Sequence, residues 1–110
     1  MLTTASLPTE ERRRYSELRQ VLTRPGLLRG NLVQVRVTCG KASCRCARSP
    51  RQRHRGLYLG VSVDGKRRMI YIPREWEAEV REWVERHAHV RELLEHLSSA
   101  CLQRLKSRQR

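Results

Sequence analysis

Cys39, Cys44 and Cys46 fall within eight residues, and His54 follows in a segment dense with arginine. Three thiols and an imidazole are donors for a soft or borderline cation, and together they could fill the four positions around one tetrahedral zinc ion. In an extended segment Cys44 and Cys46 point to the same side. Gly40 offers a turn that folds Cys39 back, and His54 can return as the fourth ligand. Neighbouring Lys and Arg would lower the thiol pKa values and favour thiolates. Zinc sites more often use two cysteines separated by two residues, and no such pair occurs here. A reduced structural cluster and a reversible disulfide acting as a redox switch therefore stay open beside zinc. An iron–sulfur cluster would need a fourth cysteine, and Cys101 lies far along the chain.

The same stretch holds most of the charge. The 110-residue chain has a formal net charge of +13. Residues 34–74 carry eleven Lys or Arg against one acid, Asp64, for +10, whereas residues 75–100 carry three Arg against seven Glu, for −4. The flanks, residues 1–33 and 101–110, add +3 and +4. Segregation of this kind suits a polyanion, because each neutralised phosphate releases counterions and adds salt-dependent affinity. The candidate nucleic-acid contacts in the loop are Lys41, Arg45, Arg48, Arg51, Arg53 and Arg55, joined by Lys66, Arg67 and Arg68 beyond it. Tyr58, with Tyr71, could stack on bases or pack under a helix. DNA ranks ahead of RNA as the partner. Catalysis finds no support: Asp64, the sole aspartate, sits in a turn, the glutamates cluster on a helix, and no paired carboxylates stand ready for metal-dependent phosphoryl chemistry. The expectation is that the protein is not an enzyme.

The elements that must position these groups follow from pattern. Residues 1–8 read as a loose tail, with Ser6 or Thr9 available as a cap. A helix is then predicted over Thr9–Thr23, its apolar face marked by Tyr15, Leu18, Val21 and Leu22 and its end by Pro25-Gly26. Leu32–Thr38 alternates as a half-buried strand, Val33, Val35 and Val37 on one face and Gln34, Arg36 and Thr38 on the other. The cysteine loop follows from Cys39 to about Arg55, with little apolar content and therefore mobile unless a metal orders it.

Asp64-Gly65 is a strong two-residue type I′ turn signal. Pairing across it sets Val63 opposite Lys66, Val61 opposite Arg68, Leu59 opposite Ile70 and Leu57 opposite Ile72, with Tyr58 opposite Tyr71, Gly60 opposite Met69 and Ser62 opposite Arg67 on the other face. A lone hairpin is marginal, so the Val33–Val37 strand is expected to join as a third.

After Pro73 a long helix is predicted, with Glu75, Glu77 and Glu79 at its positive end. Trp76, Val80, Trp83, His87, Val90, Leu94, Leu97 and Cys101 recur at alternating spacings of four and three, a seam broadened by Val84, Leu93 and Ala100. Trp76, Trp83, His87 and Cys101 are read as buried on this seam, and His89 and His96 as facing solvent. The distal seam could also form a homodimer. Residues 102–110 read as a basic tail.

The whole reads as an α+β chain. Residues 1–25 form the tail and first helix, 26–73 a three-stranded antiparallel sheet with the Cys/Arg-rich loop, and 74–110 the long helix and tail, within a single domain overall. No apolar run approaches the roughly 20 residues that span a bilayer, and the N-terminus lacks a secretory pattern, so no membrane is expected and the cytoplasm is the expected location. Disulfide frameworks belong to exported chains, which favours reduced thiols.

Arg29-Gly30-Asn31-Leu32, the core Cys39-Gly40-Lys41-Ala42-Ser43-Cys44-Arg45-Cys46-Ala47-Arg48, the Asp64-Gly65-Lys66 turn and Tyr71-Ile72-Pro73 before a Glu/Leu-rich helix resemble a family of small basic bacterial proteins of unknown function. Its members are often associated with mobile elements. The likeness covers roughly residues 26–105, with His54-Arg55-Gly56-Leu57-Tyr58 where that family has a His-Gly-Pro-Tyr type of sequence. More remotely, three strands followed by a helix resemble the arm-type DNA-binding domain of tyrosine recombinases. That likeness of element order implies that Gln34, Arg36 and Arg67 approach a major groove while loop arginines hold phosphates. The functional expectation is a nucleic-acid-binding accessory protein with a zinc-ordered loop. The rivals are a protein-interaction module docking on an acidic partner such as a recombinase or transposase, and a thiol redox switch.

Overall fold

Asp64 and Gly65 both take positive φ, 52° and 77°, the backbone condition of a type I′ turn, whose twist matches that of the strands it joins. Around it the computed structural model, which describes residues 2–108, pairs β2 (His54–Val63) with β3 (Lys66–Ile72). All seven pairs stand in the predicted register, from Val63 opposite Lys66 to Leu57 opposite Ile72. β1 (Asn31–Val37) adds antiparallel to the free edge of β2, giving the order β1-β2-β3. With α1 (Thr9–Val21) before the sheet and α2 (Glu77–Arg108) after it, the architecture is the expected α+β arrangement. Among the described residues no helix is long and apolar enough to cross a membrane.

The chain forms two compact units, Leu28–Val84 and Met1–Leu27 with Glu85–Arg110. In the sheet unit the core is Leu57, Leu59, Val61 and Ile72 under Val80 of α2, with Leu28, Leu32, Trp83 and Val84 packed around it. The Leu28 N–H donates to the Trp83 carbonyl (3.1 Å) and ties the approach to β1 to the start of α2. Trp76 meets Trp83 edge to face (6.1 Å between centroids), yet it stays 47% exposed instead of joining the core as predicted. It sits in a short 3₁₀ turn, Arg74–Trp76, that precedes the helix proper.

The helical unit buries Leu7, Leu93 and Leu97. The Arg104 guanidinium donates to the Glu11 carboxylate, His89 Nε2 stands 2.9 Å from Glu17 Oε1, and Arg86 donates to the carbonyls of Pro25 and Gly26 (2.5 and 2.7 Å). Several expectations are corrected here. The segment read as a loose tail contains a 3₁₀ turn at Thr4–Ser6, and Leu7 is buried. Pro8 occupies the cap position of α1, while Ser6 serves the turn before it. Leu22 is exposed. His89 has a carboxylate partner instead of facing solvent alone, and Cys101 and Leu94 are exposed. A heptad seam expresses one continuous partner along the helix; α2 instead contributes to two units, so the residues it buries depend on the neighbours in each. Residues 102–108 continue the helix where a tail was expected, and the last two residues of that tail lie outside the described residues.

Candidate metal centre and basic surface

β1 and β2 pair down to Val37 opposite His54, so the sheet itself brings the histidine beside the strand that leads into Cys39. β2 begins three residues earlier than its apolar run at Leu57, and those extra residues carry His54 into place. Between the two strands the loop makes two 3₁₀ turns, Arg45–Ala47 and Pro50–Gln52. Gly40 takes φ +85°, a left-handed turn that glycine adopts at little cost, and it folds Cys39 toward the loop as predicted.

Cys39, Cys44, Cys46 and His54 each offer one ligand atom, all within 4.8 Å of one another. Cys39 Sγ is 3.6 Å from Cys46 Sγ, and Cys44 Sγ is 3.4 Å from His54 Nε2. Around a tetrahedral zinc with bonds of about 2.3 Å to sulfur and 2.0 Å to nitrogen, those edges would be roughly 3.8 and 3.5 Å. The four groups therefore stand at metal-binding distances, and they could hold a metal ion. The Cys39 N–H points at Cys46 Sγ (3.4 Å), the kind of donor that stabilises a ligating thiolate from outside the ligand set.

The thiols differ in acidity. The Cys46 backbone N–H holds the Cys44 thiol down at about 6, with help from His54 and from the other two thiols. Cys46 receives the Cys39 N–H, which pulls it down, but burial and the adjacent Cys44 and Cys39 sulfurs outweigh that donor and leave it raised. Cys46 is 1% exposed.

The predicted cations are all at the surface. Lys41, Arg45, Arg48, Arg51, Arg53 and Arg55 are exposed on or beside the loop. Lys66, Arg67 and Arg68 are exposed too, but they sit beyond the Asp64-Gly65 turn, opposite Val63, Ser62 and Val61. His54 and Ser62 are eight residues apart on β2, about 26 Å at roughly 3.3 Å per residue. The single basic segment of the sequence thus becomes two basic ends of one sheet.

The expected grouping of Gln34, Arg36 and Arg67 on one sheet face is also corrected. Directly paired residues share a face. Gln34 opposes Leu57 and Arg36 opposes Arg55, on the core side, whereas Arg67 opposes Ser62 on the other. Val33 opposes Tyr58 and Val35 opposes Gly56, so the β1 valines lie away from the core and only Leu32 joins it. Arg36 donates to the Arg51 carbonyl (3.4 Å) and so braces the loop.

Tyr58 and Tyr71 meet edge to face across the hairpin, 5.5 Å between centroids. A groove of about 470 Å³ runs between this pair and the cysteine cluster, with Arg55, Arg74 and Glu77 among its walls. Tyr71 is the ring expected, with Tyr58, to stack on bases or pack under a helix; Arg74 and Glu77 were not among the predicted site residues. Tyr71 was visible as the cross-turn partner of Tyr58, whereas Arg74 and Glu77 read only as the start of a helix.

No curated protein and no solved structure matches the chain. A family model, a domain of unknown function named DUF6788, matches residues 8–82. The matched stretch takes in α1, the whole sheet, the cysteine loop and the start of α2, and this chain belongs to the DUF6788 family.

Proposed function

We propose that this chain is a non-enzymatic nucleic-acid-binding accessory protein, acting on DNA ahead of RNA, whose basic loop is ordered by zinc. The observation that carries the reading is the convergence of three thiols and one imidazole within 4.8 Å at the base of a loop whose cations are all exposed. Three sulfurs and a nitrogen suit zinc better than a hard cation. Four protein donors fill a tetrahedral site and leave no position for a reacting water, which supports a structural role over a catalytic one. With the loop held, Lys41, Arg45, Arg48, Arg51 and Arg53 present a fixed set of charges to phosphates, and each contact releases counterions.

Two measurements test this. Metal analysis of the purified chain is expected to find zinc, and Cys44→Ser and His54→Ala are expected to weaken or abolish its retention; full retention in both variants would remove the site. Binding to duplex DNA is expected to weaken steeply with salt, and Arg48→Ala with Arg51→Ala to reduce the slope of log K against log salt by about 0.9 per lost phosphate contact. Binding that barely changes with salt would sink the nucleic-acid reading.

A second reading, a thiol redox switch, is favoured by the 3.6 Å approach of Cys39 and Cys46 and by the lowered pKa of Cys44. It predicts a metal-free protein that forms a disulfide within the cluster under mild oxidation.

A further inference from the structure

We propose that the sheet face opposite the core binds an unpaired nucleic-acid strand, with Tyr58 and Tyr71 stacking on its bases. This rests on the phosphate-binding reading above and adds the strandedness of the ligand and the surface that reads it.

Within the sheet unit, α2 packs on the Leu57 and Leu59 side. The register puts Tyr58 and Tyr71 on the opposite side. Tyr71 is 54% exposed and Met69 beside it 47%, so these side chains are not filling a core. Gly56 and Gly60 flank Tyr58 on the same face of β2. The space that their missing side chains leave is filled, by Val35, Val37 and the Tyr58 ring over Gly56 and by the Arg67 guanidinium and Met69 over Gly60, so Tyr71 is the open ring of the pair, with Tyr58 half-buried beside it. Cations flank the pair on this side: those of the loop at one end, and toward the other Arg67, whose guanidinium reaches back over Gly60.

Cations at each end with aromatic rings between them is the layout that single-strand binding requires. Phosphates neutralise the cations and bases stack on the rings, whatever their sequence. A duplex keeps its base faces inside its own stack, so an exposed Tyr71 beside a half-buried Tyr58 offers it little. The groove between the tyrosines and the cysteine cluster, about 470 Å³ with Arg55 and Arg74 on its walls, gives one base a pocket and its phosphate a partner. Glu77 in the same groove is an acceptor for the amino edge of a base. A protein partner on this face would need little charge complementarity, whereas the cations at both ends call for a polyanion.

The test is fluorescence anisotropy of the full chain with labelled oligothymidylate, oligouridylate, an abasic DNA of equal phosphate number, and a duplex, each across a salt titration. Oligothymidylate or oligouridylate is expected to bind at least fivefold more tightly than the abasic strand. Tyr71→Ala is expected to remove most of that advantage, a loss of roughly 5- to 100-fold. Tyr71→Phe should keep the advantage, and neither change should alter duplex affinity or the salt slope. Because Tyr71 is largely exposed, both variants are expected to fold. Equal binding of base-bearing and abasic strands, or an advantage that survives Tyr71→Ala, would overturn the stacking proposal while leaving phosphate binding intact. Salt-insensitive binding, or none, to all four ligands would overturn both readings together.

Discussion

Cys44 is the group whose chemistry the fold changes most. Its thiol sits at about 6, chiefly because the Cys46 N–H and His54 favour the anion, so in the metal-free protein it is a thiolate at neutral pH. Alkylation by iodoacetamide is expected to rise with pH through about 6 at Cys44, well below the ordinary thiol value of 9.0. Cys46, buried and raised, is expected to react last. Peptide mapping by mass spectrometry at several pH values reads the order directly, and a Cys44 that reacts only near pH 9 would refute the geometry. The same shift links the cluster to stability. A folded-state pKa below the unfolded one contributes stability that is fully present above about 9.0 and is lost as pH falls through about 6. Zinc binding would follow the same direction, since acid returns protons to the ligands. The spacing of the three cysteines and the histidine marked this cluster in the sequence. The difference between Cys44 and Cys46 was not legible there, because it comes from one backbone donor and one burial that only folding creates.

Among the elements, the hairpin carries the clearest sequence signal and the sharpest energetic contrast. Leu59 and Ile70 are direct partners on the core side, yet Leu59 is 4% exposed and Ile70 49%. β3 is an edge strand on which only Ile72 is buried, whereas β2 buries Leu57, Leu59 and Val61. Leu59→Ala is therefore expected to cost about 2–5 kcal/mol and Ile70→Ala less than about 1 kcal/mol, as read by urea denaturation. Equal losses would mean that the sheet is not packed as described. Gly30 supplies a second test. It takes φ +143°, and a Cβ there would stand 2.7 Å from Leu59 Cδ1 and 2.8 Å from the Gly60 carbonyl oxygen. Gly30→Ala is expected to destabilise by about 1–3 kcal/mol, because neither the backbone angle nor the neighbouring carbonyl can give way cheaply. A neutral effect on the denaturation midpoint would contradict this approach to β1. The alternation along β1 established a strand but not which face turned inward. That depended on pairing with β2, where Gln34 falls opposite Leu57 and the valines fall on the tyrosine side.

In the molecule as a whole, the loop is held by little burial. Cys46 is its one buried residue, so if zinc is bound, the ion replaces the core that this segment lacks. Chelation is then expected to abolish hydrogen-exchange protection across the loop while β2 and β3, held by Leu57, Leu59 and Ile72, keep theirs. Loss of protection throughout the sheet would show that the metal supports more than the loop; no change anywhere would remove it as an ordering element. The order of elements, the hairpin register, the α+β class and the grouping of three cysteines with His54 were legible in the chain by itself. Each rests on local rules: a turn that only certain residues make, a period of two, the chemistry of thiols and imidazole. The charge pattern was legible as a quantity but not as a surface, since chain folding at Asp64-Gly65 sends Lys66, Arg67 and Arg68 to the end of the sheet away from the cysteine loop. The heptad pattern of α2 likewise named a helix without naming what it buries. Only the tertiary structure decided which face of each strand packs, which residues of α2 are covered, and that Tyr71 stays exposed beside a half-buried Tyr58, because those outcomes depend on pairing and packing between segments distant in sequence.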